Sequence, residues 1–162
     1  MPVALLIILS LMCLSFSRNG LFQDPLALWE DTARKSPGRE RPHYNLGTEL
    51  KNAGKYDQAQ KEWERTLELN PRHSHALNQL GSIWFIRKEY DKALFYYDAS
   101  VQADMNNVEA CYNLAMTLEK RGEFEKSMYY YERFLRIATP EYQEHILTVS
   151  RKVDKLRSLT VQ

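Results

Sequence analysis

An interval of 34 residues constrains this chain more than any other feature. Gly47 and Gly81 stand 34 apart and Ala115 follows after another 34, each preceded by a leucine, Leu46, Leu80 and Leu114. Nine residues beyond each small residue comes Tyr56, Tyr90 or Phe124, and three further on come Ala59, Ala93 and Ser127. Bulky rings keep the same step at Trp29, Trp63, Tyr97 and Tyr131, as do Pro37 and Pro71, with Pro140 arriving one residue late. A fixed period of this length marks stacked units, each unable to bury its apolar face alone. Within each unit, two apolar stripes at helical spacing flank a polar break: Asn52-Ala-Gly-Lys55, Arg87-Lys-Glu89 and Lys120-Arg-Gly-Glu123. The pattern predicts an all-α chain of helix hairpins. The small residues let paired helices approach closely, the rings fill the space between neighbouring pairs, and proline stops the second helix.

Composition narrows the function. The 22 Lys and Arg against 21 Asp and Glu leave a formal charge of +1. That balance lacks the electrostatic footprint of a nucleic-acid binder. Two cysteines, Cys13 and Cys111, exclude a disulfide-stapled scaffold and a multi-thiolate metal site. His73 and His75 share a repeat junction, but no carboxylate or thiolate is spaced to complete a metal site with them. His43 and His145 read as isolated, solvated side chains, and Cys111 as a packed thiol without an activating cation. Phosphate-cradling glycine loops are missing as well. The chain is expected to be non-catalytic and to need no cofactor or metal.

These residues resemble the tetratricopeptide repeat family. The resemblance is carried by Tyr44-Asn-Leu-Gly47 with Gly54-Lys-Tyr56-Asp-Gln-Ala59, by Asn78-Gln-Leu-Gly81 with Tyr90-Asp-Lys-Ala93, and by Tyr112-Asn-Leu-Ala115 with Gly122-Glu-Phe124. It implies a helix-pair solenoid with complete repeats over residues 40–73, 74–107 and 108–141. Met105 departs from the pattern where a stop proline would stand, and Ser127 replaces the small alanine. Residues 18–39 are read as a linker and the second helix of an incomplete leading repeat, with Trp29 in register. Residues 142–162 are read as a capping helix and tail, with Ile146, Val149, Val153 and Leu156 forming its apolar stripe.

Residues 1–17 carry no charged side chain, and Val3 to Leu14 is almost wholly apolar. Three readings stay open: a membrane anchor, a cleaved signal, or a buried helix of a soluble domain. The anchor is preferred, because no Lys or Arg precedes the run as a signal would want. The junction from Ser17-Arg-Asn19 through Leu28-Trp-Glu-Asp-Thr32 and Lys35-Ser-Pro37 to Arg41-Pro-His-Tyr44 is similar to one in bacterial multi-pass membrane proteins with C-terminal tetratricopeptide repeats. Those proteins are relatives of the transmembrane O-mannosyltransferases. This second resemblance implies repeats on the extracytoplasmic, periplasmic side, whereas Arg18, Arg34 and Lys35 argue weakly for the opposite side.

The family's groove lies along the first helices of its repeats. Its positions map here onto Tyr44, Asn45, Thr48 and Lys51, then Asn78, Gln79, Ser82 and Phe85, then Tyr112, Asn113, Met116 and Glu119. The carboxamide row Asn45, Gln79, Asn113 suits an extended peptide, whose backbone amides can both donate and accept. The basic clamp that family members use for a C-terminal carboxylate has no cation here, since its positions hold Tyr44, Thr48, Gln79, Glu109 and Asn113. Phe95, Tyr96, Tyr129 and Tyr130 exceed what the aromatic ladder needs and are expected on a second docking surface, for a partner subunit or the membrane interface. The expected function is a membrane-tethered scaffold that binds a protein or peptide. The alternatives are an accessory repeat domain of a membrane glycosyltransferase and a structural subunit of a membrane complex.

Overall fold

The computed structural model describes residues 24–160. The apolar run of residues 1–17 and the linker up to residue 23 therefore lie outside the described residues. Those described form eight α-helices and no strand. They are α1 (Pro25–Lys35), α2 (Glu40–Asn52), α3 (Tyr56–Leu69), α4 (Ser74–Ile86), α5 (Tyr90–Ala103), α6 (Val108–Lys120), α7 (Phe124–Ile137) and α8 (Gln143–Thr160), with a 3₁₀ turn at Pro140–Tyr142 before the last. None of these helices is long and apolar enough to cross a membrane. The chain divides into two compact units, one ending at Arg65 and the other beginning at Thr66, so the boundary falls within α3.

In the first unit, Asp24 caps α1 by accepting from the backbone N–H groups of Leu26 at 3.0 Å and Ala27 at 3.3 Å. Pro25 follows at the first helical position, where its missing N–H removes no helical bond. α1 packs on α2. The α2–α3 hairpin is closed by Gly47, against which the Trp63 indole lies so tightly that a Cβ there would meet Nε1 at 2.6 Å. The indole N–H donates to the Tyr44 carbonyl at 3.2 Å. Small residue and large ring are thus two halves of one contact. His43, expected to be isolated and solvated, instead pairs through Nδ1 with the Glu62 carboxylate at 2.7 Å and ties α2 to α3. Trp29 is only half-buried, unlike the three later rings of its series.

The second unit stacks the α4–α5 hairpin on the α6–α7 hairpin and closes with α8 against α7. Its core holds Leu80, Ala93, Tyr97, Ala110, Leu114, Ala115, Tyr131 and Phe134. Gly81 repeats the arrangement at Gly47: an added Cβ would meet the Tyr97 ring at 2.6 Å. Burial raises the Tyr97 phenol to about 12, and its hydroxyl donates to Ser82 Oγ at 3.2 Å. A buried polar knot marks the junction between the two hairpins. Ser100 Oγ donates to the Ser74 carbonyl at 2.8 Å, and the Asn107 amide donates to Ser74 Oγ at 2.7 Å. Asn107 Oδ1 in turn accepts from Ala110 N at 3.0 Å, so the same side chain caps α6. On α8, Val149, Val153 and Leu156 are buried and Ile146 half-buried, as the apolar stripe requires.

Candidate binding face

The first helices present the face on which a partner was expected. In the first unit, α2 carries Tyr44, Asn45, Thr48 and Lys51, all half-buried. Thr48 Oγ1 donates back to the Tyr44 carbonyl at 3.0 Å, which takes the hydroxyl out of reach of a ligand's acceptor.

In the second unit the amides pair with each other. Asn113 Nδ2 on α6 donates to Asn78 Oδ1 on α4 at 3.0 Å, and Asn78 Nδ2 donates to Glu109 Oε2 at 3.2 Å. Asn78 was expected on the binding face; it is buried at 2% exposure, with both ends of its amide engaged. It joins the helices and cannot read a partner. Asn113 remains half-buried, and its carbonyl Oδ1 accepts no hydrogen bond from the described residues. Ser82 is also occupied, donating to the Asn78 carbonyl at 3.1 Å while accepting from Tyr97. Gln79, Phe85 and Met116 are half-buried, with Phe85 tilted against Tyr90 at a centroid distance of 5.5 Å.

Tyr112 is packed from the C-terminal side. Its ring lies 5.6 Å from Phe134 and 5.4 Å, edge to face, from His145, which was expected to stand alone. Glu119 is likewise engaged by the closing helix, accepting from Lys152 Nζ at 2.5 Å and from the Tyr131 hydroxyl at 2.7 Å. Burial pushes its carboxyl upward, but these two hydrogen bonds outweigh that and hold it below the usual carboxylate range. The face open to a partner in this unit thus narrows to Phe85, Asn113 and Met116, with Gln79 half-buried on α4.

The surplus rings lie on the second helices. Phe95 is 68% exposed and Tyr129 52%, while Tyr96 and Tyr130 are half-buried. Each pair meets edge to face, Phe95 with Tyr96 at 5.3 Å and Tyr129 with Tyr130 at 5.1 Å. Phe95 and Tyr130 also line a cleft of about 440 Å³ between α5 and α7. Its floor is Leu114 and Leu118 of α6, and Leu94, Asp91, Asp98, Arg121, Glu123 and Lys126 complete the wall. Asp98 was not singled out from the sequence. The available signal was the recurrence of an acid after each ladder ring, at Glu30, Glu64, Asp98 and Glu132.

Among the described residues no cluster of His, Cys, Asp or Glu is arranged to hold a metal. Cys111 is fully buried, and burial raises its thiol; Arg133 lies near enough to pull the other way without prevailing, so a cation is present after all.

Two profiles of the tetratricopeptide repeat match the chain, one over residues 44–108 and one over residues 108–139. Together they span more than half of it, and the chain belongs to the tetratricopeptide repeat family. Among curated proteins none matches at a significant level. Among solved structures, the Yersinia enterocolitica type III secretion chaperone SycD, in complex with a peptide of the translocator YopD, is 21% identical with a TM-score of 0.66, covering 73% of this chain and 92% of that one. PcrH in complex with the chaperone-binding region of PopD is 20% identical with a TM-score of 0.66, covering 81% and 95%. YrrB, a tetratricopeptide repeat protein described as having an unusual peptide-binding site, is 16% identical with a TM-score of 0.71, covering 79% and 63%. At these identities the likeness is one of fold.

Proposed function

We propose that this chain is a non-catalytic scaffold that binds an extended peptide of a partner protein along its first helices. The observation that carries this reading is the Asn113 amide. Its N–H₂ is held by Asn78 on the neighbouring helix, which fixes the carbonyl oxygen as an unshared acceptor one helical turn before Met116 on α6 and next to α4, the helix that carries Gln79 and Phe85. A carbonyl fixed in this way suits a peptide backbone N–H, while Phe85 and Met116 offer apolar area to alternate side chains. The fold shared with SycD and PcrH, each crystallised with a segment of a partner protein, supports the same reading. Within the first unit, Tyr44, Asn45 and Lys51 are the corresponding residues of α2, with Thr48 offering its methyl group.

The proposal includes attachment to a membrane through residues 1–17, with the repeats on the extracytoplasmic side. The attachment rests on the uncharged, apolar run Val3 to Leu14, and the side only on the junction's resemblance to that of the multi-pass membrane proteins. That same run also suits an accessory domain of a membrane glycosyltransferase. Peptides selected on the full chain from a displayed random library test the binding face. Met116→Lys and Gln79→Arg are expected to weaken the selected peptides about tenfold or more, while Glu125→Lys on α7 leaves them unchanged. Equal affinity across the three variants would remove the first helices as the site.

A further inference from the structure

The cleft between α5 and α7 pairs an apolar floor with an uneven rim. Leu114 and Leu118 lie at its base, and Leu94, Phe95 and Tyr130 stand at its sides. Most of its charges satisfy one another. Arg121 pairs with Asp91 and, at 3.6 Å, with Glu123, which also accepts from Lys126 at 2.7 Å. Asp98 is the exception: it accepts from the neutral Gln102 amide at 2.5 Å, and no cation pairs with it among the described residues. Burial and the nearby Asp98 charge both raise the Tyr130 phenol, so this carboxylate reaches into the cleft as a field. Three acids against two bases leave one net negative charge beside an apolar slot.

We propose that this cleft docks a segment of a partner protein that presents an apolar side chain next to a lysine or arginine. The apolar group enters between Phe95 and Tyr130 above Leu114 and Leu118, and the cation meets Asp98 with the exposed ring faces alongside. An acidic segment would bring its carboxylate against Asp98. An anionic lipid surface would meet no unpaired cation here, since Arg121 and Lys126 are both held by acids. The site is separate from the peptide face: on α6, Leu114 and Leu118 line the cleft, whereas Asn113 and Met116 belong to the other face.

Two fluorescein-labelled helical peptides test the idea by fluorescence anisotropy on the full chain. They share one face of Leu and Phe and differ only in carrying lysines or glutamates on the other. The lysine peptide is expected to bind about tenfold more tightly than its glutamate twin, and Asp98→Lys to abolish that preference. Phe95→Ala is expected to weaken the lysine peptide several-fold, and Met116→Lys to leave it unchanged. Both cleft residues are on the surface, and Asp98→Asn provides a milder variant that should lose most of the preference. Equal affinity for the two peptides, or a preference that survives both Asp98 variants, would overturn the proposal. So would a dimer in sedimentation velocity that Phe95→Ala dissolves, because a second copy would then be the occupant. Binding of the chain to anionic vesicles that is lost with Phe95→Ala would overturn it too.

Discussion

At Gly81 the usual ranking of helix formers is reversed by packing. Alanine in place of a mid-helix glycine ordinarily stabilises by up to about 1 kcal/mol. Here the new methyl would sit 2.6 Å from the ring of Tyr97, which is fully buried and has nowhere to swing. Overpacking of this kind costs about 1–3 kcal/mol. Gly81→Ala is therefore expected to lower the midpoint of urea unfolding. Gly38→Ala, whose new methyl would meet nothing within 4 Å, is expected to leave it close to wild type. No change in the Gly81 variant would mean that the small-residue-to-ring contact does not set the spacing of the α4–α5 hairpin. This contact was legible in advance, because Gly81 and Tyr97 recur in step with Gly47 and Trp63. The third repeat shows the limit of that legibility. Ser127 breaks the series of small alanines, yet its buried hydroxyl donates to the Ala115 carbonyl at 2.8 Å, a pairing that no periodicity announces.

The hairpin turns repeat in conformation more faithfully than in residue type. Gly54 and Gly122 end α2 and α6 with φ of +74° and +77°, and the residue in register between them is Lys88, at +64°. In each case the next residue closes a backbone bond to the preceding helix: Lys55 to Leu50 at 2.8 Å, Glu89 to Trp84 at 2.9 Å and Glu123 to Leu118 at 3.0 Å. A left-handed non-glycine residue costs about 1–2 kcal/mol, of which glycine's extra chain entropy returns about half. Lys88→Gly is expected to raise the stability of the second unit by roughly 0.5–1 kcal/mol in urea titrations; a loss would show that the lysine side chain holds the turn. The polar breaks between stripes were readable as turns, but the strained position at Lys88 follows only from its register with two glycines.

The closing helix has a different dependence, on acid. Glu119 accepts from Lys152 of α8 and from Tyr131, and these bonds depress its carboxyl in the folded state. A depressed carboxyl adds stability above its unfolded value, near pH 4.3, and that stability is lost as pH falls through the lower folded value. Protection of α8 amides from hydrogen exchange should therefore fall with pH below about 4.3, and Glu119→Gln should flatten that fall. The apolar stripe of α8 could be read from sequence spacing alone. The ion pair could not, because it joins residues 33 apart whose meeting depends on how α8 crosses α7.

For the molecule as a whole, periodicity yields the class of fold and the helices on which the binding face is proposed, while the choice of residues within that face depends on side-chain depth. Asn78 and Asn113 both fall on the first-helix face by spacing. One of them is buried as a strut and the other is left with a free carbonyl, a distinction made by rotamer and packing. Tyr112, also expected on that face, spends its ring on Phe134 and His145. The four surplus rings stood out in the sequence as an excess over the ladder. The unpaired carboxylate of Asp98 beside them did not, since in one dimension it is one acid among many.

The proposed function stands or falls with a partner peptide along the first helices, near Asn113. A photo-crosslinking amino acid placed at Met116 of the full chain, in its own cells, tests this directly. A discrete adduct to one partner protein is expected, mapped by mass spectrometry to a short segment and lost on adding Gln79→Arg. The same crosslinker at Glu125, on the outer side of α7, should give no adduct to that segment. Adducts to that segment from Glu125 and not from Met116 would contradict it.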